Sequence, residues 1–262
     1  MINEKPSKDD SLMLKILIFS LLMLNSSIAF SQPGDLVKSA ESGNAKSQFD
    51  LGIFFLGKKD IPEHNIQARK WFLLSAQQGN PSAQYNLGVM AATGDGTAKN
   101  MQEAVKWITL AAQQGHIQAQ YNLGTLYDSG EGVKKNAIEA VKWFRLAAEK
   151  GHVLAQSNLA AMYDQGKGVR KDIQEAGKWY ALAAQQGHPM SQYNLGVMYA
   201  YGDGVRKDYE QSYFWLLLAR DAGVSHASDA IKLLEERLSP KQQTLLKKKA
   251  SQWQPARPVP TQ

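Results

Sequence analysis

A segment that reads as one helix, NMQEAVKWITLAAQQ at residues 100–114, returns with small changes every 36 residues. Trp107 has counterparts at Trp71, Trp143, Trp179 and Trp215, and the closing Gly115 at Gly43, Gly79, Gly151, Gly187 and Gly223. A fixed period of this length marks a stack of small units, each unable to bury its own apolar face until the next one covers it. The 262 residues are therefore expected to form one continuous stack, not one or two ordinary globular domains.

Each unit reads as two helices. Ala83, Leu87 and Met90, at i, i+4 and i+7, give the first helix one apolar stripe; Ala104, Trp107, Ile108 and Ala111 give the second another. First helices are expected at 46–56, 82–93, 118–129, 154–165 and 190–201, and second helices at 66–78, 101–114, 137–150, 173–186 and 209–222. The turns between them read GDGTAKN, GEGVKKN, GKGVRKD and GDGVRKD, with glycines that permit positive φ and a final N-cap, Asn100, Asn136, Asp172 or Asp208. Glu103, Glu139, Glu175 and Gln211, three residues on, complete a pattern like a capping box. Pairs such as Glu103 with Lys106 and Glu139 with Lys142 are expected on the helix surface. The G-x-G turn follows a helix and not a strand, so it is no dinucleotide loop. The first turn, GKKDIPEHN, lacks the two glycines and is expected to differ. Small residues recur in mid-helix at Gly52, Gly88, Gly124, Ala160 and Gly196. Glycine there costs ~1 kcal/mol against alanine, and close approach of a neighbouring helix is the expected compensation.

The two ends differ from the repeats. Residues 1–31 read as a secretory signal: a polar start, an apolar core at 12–24 interrupted by Lys15 and Ser20, then small residues at Ala29 and Ser31, with cleavage after one or the other. Translation from Met13 would give the same signal in compact form. About ten apolar residues are too few to span ~30 Å of hydrocarbon, so cleavage and export to the periplasm or the medium are expected. Residues 32–43 end an incomplete repeat, 44–223 hold five complete ones, 224–238 form a capping helix, and 239–253 a further helix begun by Ser239 and Pro240. The proline-rich 254–262 reads as a disordered tail.

Composition excludes several functions. The net charge is +6, of which +5 falls from Lys241 onward, and the near-neutral remainder argues against a nucleic-acid surface. Without cysteine there is no disulfide, thiol catalysis, cysteine zinc site or lipoprotein anchor. His116, His152 and His188 follow the closing glycines in three consecutive repeats. Helices pack about 8–10 Å apart, whereas zinc holds its ligands at ~2.1 Å, so these histidines read as linker residues. Serines are scattered, no histidine has a nucleophile beside it, and Glu103, Glu139 and Glu175 are assigned to caps. No enzyme activity, metal or cofactor is expected.

The pattern A-Q-Y-N-L-G-x-M-Y-x-x-G-x-G-V-x-K-D, then E-A-x-K-W-Y-x-x-A-A-x-Q-G-H, resembles the Sel1-like repeat, a relative of the tetratricopeptide repeat. Tyr85, Leu87, Gly88, Gly94, Gly96, Ala104, Trp107, Ala111, Ala112 and Gly115 carry it, with equivalents 36 and 72 residues later, over residues 35–238. The resemblance implies an all-α, right-handed superhelical solenoid of helix-turn-helix repeats. It also implies a scaffold for protein–protein contacts, often exported by bacteria and, in pathogens, engaged with host cells. Members that suggest hydrolysis of cell-wall peptide or β-lactam substrates are rich in cysteine, which this chain lacks.

On the first helices a second stripe lies about 90° from the core stripe, by the 100° helical step. It holds Ser82, Asn86, Val89 and Thr93, then Gln118, Asn122, Thr125 and Ser129, then Leu154, Asn158, Ala161 and Gln165, then Met190, Asn194, Val197 and Tyr201. By resemblance to tetratricopeptide repeats it faces the concave groove, the expected binding surface for a protein or peptide. Its amides can serve an extended peptide backbone or a neighbouring helix. Basic doublets, Lys134 and Lys135, Arg170 and Lys171, Arg206 and Lys207, follow the turn edge. With Lys247, Lys248 and Lys249 they could meet an anionic lipid head group or an acidic partner. Solvated loops commonly look the same, and membrane contact is expected to be at most peripheral.

Overall fold

In the computed structural model residues 33–57 and 62–256 are described. The expected signal segment, residues 1–31, lies outside them, as do residues 257–262. The described residues form thirteen α-helices and no strand. These are α1 (Pro33–Glu41), α2 (Ala45–Leu56), α3 (Pro62–Gln77), α4 (Pro81–Thr93), α5 (Met101–Gln113), α6 (Ile117–Ser129), α7 (Ala137–Glu149), α8 (Val153–Gln165), α9 (Ile173–Gln185), α10 (Pro189–Tyr201), α11 (Tyr209–Asp221), α12 (Ala227–Glu235) and α13 (Pro240–Ser251). The first and second helices fall where the period places them. Two bounds differ: α3 begins at Pro62, where proline suits a first turn, and α12 is shorter than the expected 224–238.

The chain resolves into two compact units, divided between Ala111 and Ala112 inside α5. In the first unit the core gathers Leu36, Leu51, Phe55, Phe72, Leu87 and Met90. A Cβ on Gly52 would stand 2.5 Å from the Phe72 ring, and one on Gly88 2.5 Å from Ile108 Cγ1. In the second unit Phe144, Leu159, Leu195, Tyr213 and Leu216 lie at the centre, and a Cβ on Gly124 or Gly196 would stand 2.7 Å from Phe144 or Leu216. Close approach is thus the reason for smallness in mid-helix, and Ala160 is fully buried at the equivalent place. In the turns, Gly168 has φ 70° and a Cβ there would lie 2.3 Å from the Ala137 carbonyl oxygen, so the second glycine is fixed by both conformation and space.

The expected N-caps are in place: Asn100 and Asp172 accept from the Glu103 and Glu175 N–H, and Asn136 and Asp208 each accept from two backbone N–H groups. The capping-box reading of the glutamates is wrong. The N-cap N–H groups of Asn100, Asn136, Asp172 and Asp208 already donate to the carbonyls of Ala91, Tyr127, Tyr163 and Tyr199 in the preceding first helix. Glu103 therefore pairs with Arg69 at 2.9 Å, not with Lys106, while Glu139 and Glu175 pair with Lys142 at 3.4 Å and Lys178 at 2.6 Å. Ser239 and Gln242 do form a capping box.

At the C-terminal end α13 packs on α11, tied by Gln242 Nε2 donating to Glu210 at 2.6 Å. Residues 254–256, expected in the disordered tail, are held. The Ala256 N–H donates to the Gln185 carbonyl at 2.8 Å, a Cβ on Gly187 would stand 3.3 Å from Pro255, and Trp253 meets Trp215 edge-on at 6.3 Å.

Candidate binding surface

One polar series seats each first helix on the helix before it and another caps its start, roles not expected from the sequence. Gln48, Gln84, Gln120, Gln156 and Gln192 are buried, and each Nε2 donates at 3.1–3.2 Å to a carbonyl eight residues back: Ala40, Ala76, Ala112, Ala148 and Ala184. Those carbonyls lie in the last turn of a helix, where each also accepts from the N–H of the following glycine at 2.9–3.1 Å, so the glutamine takes a second lone pair. The signal was a glutamine at one constant register beside an apolar stripe.

His116, His152 and His188, expected to be plain linkers, are N-caps. Their Nδ1 atoms accept from the N–H of Ala119, Ala155 and Ser191 at 3.2 Å, as Asn44 and Asn80 do for the first two repeats. An accepting Nδ1 carries no proton, so His152 uses Nε2–H toward Gln118 Oε1, 3.0 Å away, and stacks on Tyr121 at 4.5 Å. Burial lowers the pKa of all three, in His152 against a backbone hydrogen bond that raises it.

The first-helix stripe is accessible in both units. In the first, Asn86 and Val89 are half-buried and Thr93 is exposed; in the second, Asn122, Asn158 and Asn194 are half-buried and Thr125, Gln165 and Tyr201 are exposed. Several of the amides serve the protein itself. Asn86 Nδ2 donates to the Ser82 carbonyl at 2.8 Å, and Asn122 Oδ1 accepts from Gln118 at 3.4 Å. Asn194 is bonded to the hydroxyl of Tyr180, whose pKa burial and the charge of Asp164 push up to about 12. What the stripe offers outward in the second unit is larger and more apolar: Leu154, Met190 and Tyr201 are 44, 46 and 72% exposed.

All six basic residues of the turn doublets are exposed. Glu131, Asp172, Asp203 and Asp208 stand among them in the same turns, so the edge is mixed in charge. Lys207 sits 5.0 Å over the Tyr209 ring, and its hydrogen bond lowers the Tyr209 pKa. Among the described residues no three histidine or carboxylate side chains are grouped to hold a metal, and no helix is long and apolar enough to cross a membrane.

Helix pairs repeated at constant register around an alanine-rich core define an α-helical repeat protein. The Sel1 repeat matches residues 45–80, 81–116, 117–152, 153–188 and 189–224, and the chain belongs to the Sel1 repeat family. Among solved structures it is similar to c5321, a protective antigen of uropathogenic Escherichia coli displaying the SLR fold, with 29% identity and a TM-score of 0.76 over 94% of this chain. It is also similar to a Sel1 repeat protein from Oxalobacter formigenes, with 33% identity and a TM-score of 0.67 over 76% of this chain. The chain spans only 56% and 58% of those two. The solenoid-like fold is shared with both. No curated protein sequence matches the chain. Sel1 repeat proteins generally mediate protein–protein interaction and are typically non-catalytic scaffolds.

Proposed function

We propose that the chain is an exported, non-catalytic scaffold that binds a protein or peptide partner along the first-helix stripe. The exposure of Leu154 and Met190, at one register of consecutive repeats, and of Tyr201 on the same stripe carries this reading. Single exposed apolar residues are ordinary, but an aligned set on one face is the mark of a contact surface. Covering such a side chain fully contributes ~1.5–3 kcal/mol, and the half-buried Asn158 and Asn194 lie on the same stripe. The signal-like residues 1–31 support export to the periplasm or beyond. The similarity to a protective antigen fits a place where a host meets the protein.

Crosslinking in the native cell, with the intact chain and with a Leu154→Ser, Met190→Ser, Tyr201→Ser variant, tests the surface. Loss of the captured partner is expected, and equal recovery rules the stripe out. Fractionation with mass measurement tests export: a mature chain beginning at Phe30 or Gln32 is expected, and one retaining Met1 or Met13 overturns it.

A further inference from the structure

A second face is patterned as regularly as the stripe. On α7, Lys142 and Leu146 stand one turn apart, and on α9 Lys178 and Leu182 do the same. The leucines are 36 and 43% exposed, the lysine side chains 60 and 68%. In the first unit Lys70 with Leu74 and Lys106 with Leu110 are exposed at the same positions. α11 breaks the pattern: Phe214 replaces the lysine, and Leu218 is only 7% exposed.

The cover on α11 is α13, an amphipathic helix whose Leu246 and Ala250 share one core cluster with Leu218. α13 in turn presents Lys241 and Leu245 outward, spaced as the lysine and leucine are on the second helices, beside a shallow recess lined also by Thr244 and Lys248. The outer face of a second helix is therefore a seat for an amphipathic helix. On α11 the chain fills it; on α7 and α9 the same position is open.

The chemistry of an occupant for α7 and α9 follows from two orphaned donors. Glu139 and Glu175 engage Lys142 and Lys178, and the buried indole N–H groups of Trp143 and Trp179 are left with no protein acceptor. In α5 the same spacing resolves otherwise, for Trp107 Nε1 donates to Glu103 Oε1 at 3.4 Å. A carboxylate brought by a partner takes over Lys142 and Lys178. Glu139 and Glu175 are then free to accept from Trp143 and Trp179, four residues on. One ion pair replaces another, and two unpaired buried donors gain acceptors. A cationic helix gains neither.

We infer that the outer face of α7 and α9 binds an acidic amphipathic helix of a protein partner, its apolar side chains covering Leu146 and Leu182 and its carboxylates pairing with Lys142 and Lys178. Two synthetic helical peptides test this, each with a leucine face, one flanked by glutamates and the other by lysines. Both are titrated into the full chain by calorimetry and tryptophan fluorescence. The glutamate peptide is expected to bind, about tenfold more weakly to a Leu146→Ser, Leu182→Ser variant. A Lys142→Glu, Lys178→Glu variant is expected to prefer the lysine peptide. Circular dichroism checks that these exposed substitutions leave the fold intact. Equal binding of both peptides, binding of neither, or indifference to the leucine substitutions overturns the inference. So does binding of phosphatidylglycerol vesicles in place of peptide, which assigns the face to lipid. The Leu154→Ser, Met190→Ser, Tyr201→Ser variant is expected to keep full peptide binding, so failure of the first-helix stripe and failure of this face are read separately.

Discussion

α9 and α11 are second helices of consecutive repeats, both thirteen residues long, capped by the same aspartate, Asp172 or Asp208. One shows its outer face to solvent; the other is enclosed. Their inner faces obey the same rule, with Ala183 and Ala219 fully buried. The outer faces differ by Phe214 against Lys178 and by the helix that follows in the chain. Residues facing the helix pair are thus fixed by the repeat, whereas the outer face is set by what lies next to it.

The strongest way to break this contrast is to remove the cover. Deleting residues 239–262 should cost about 3–6 kcal/mol in urea unfolding, since Phe214, Trp215 and Leu218 lose their neighbours. An unchanged midpoint would show that α13 does not cap the array. Next, Leu218→Ala should cost about 2–4 kcal/mol and Leu182→Ala less than about 0.5 kcal/mol. Similar losses would erase the distinction between the two faces. On the inner face, Gly196→Ala sets a methyl against Leu216 and should cost about 1–3 kcal/mol by overpacking. Ala160→Gly should cost about 1 kcal/mol from helix propensity alone; thermal melts of the two variants compare them.

The smallest expected effect is one that α9 and α11 share, because the first helix paired with each is capped by histidine. The folded-state pKa values of His116, His152 and His188 are lowered, so below pH ~6.5 the unfolded chain binds protons that the folded chain does not. Stability contributed by these groups is level above that pH and falls as pH drops below it. Replacing all three by asparagine, the cap used at Asn44 and Asn80, should flatten the decline in urea midpoints taken from about pH 7.5 to about pH 5. A slope equal to that of the parent would show that the caps do not titrate.

The helices, the aspartate and asparagine caps of the second helices and the need for smallness at Gly196 were legible because each follows from spacing within one unit. The partners of Glu103 were not: Arg69 lies 34 residues away, and local spacing favoured Lys106. The histidine caps were hidden because linker positions display no periodic burial, and an imidazole is an uncommon substitute for asparagine. Leu154, Met190 and Tyr201 were visible as members of the stripe, but their exposure became apparent only once the amides beside them had found partners within the protein. Held residues 254–256 ran against composition, since proline-rich sequence carries no hint that Gly187 leaves room for Pro255.

Every junction between repeats is closed by an amide and a carbonyl only eight residues apart, as in Gln192 and Ala184. A contact encoded so locally travels with its own stretch of gene. An in-frame duplication or loss of one 36-residue block leaves the flanking repeats with the same glutamine and the same acceptor. The number of repeats is then free to drift under recombination while each joint stays chemically the same.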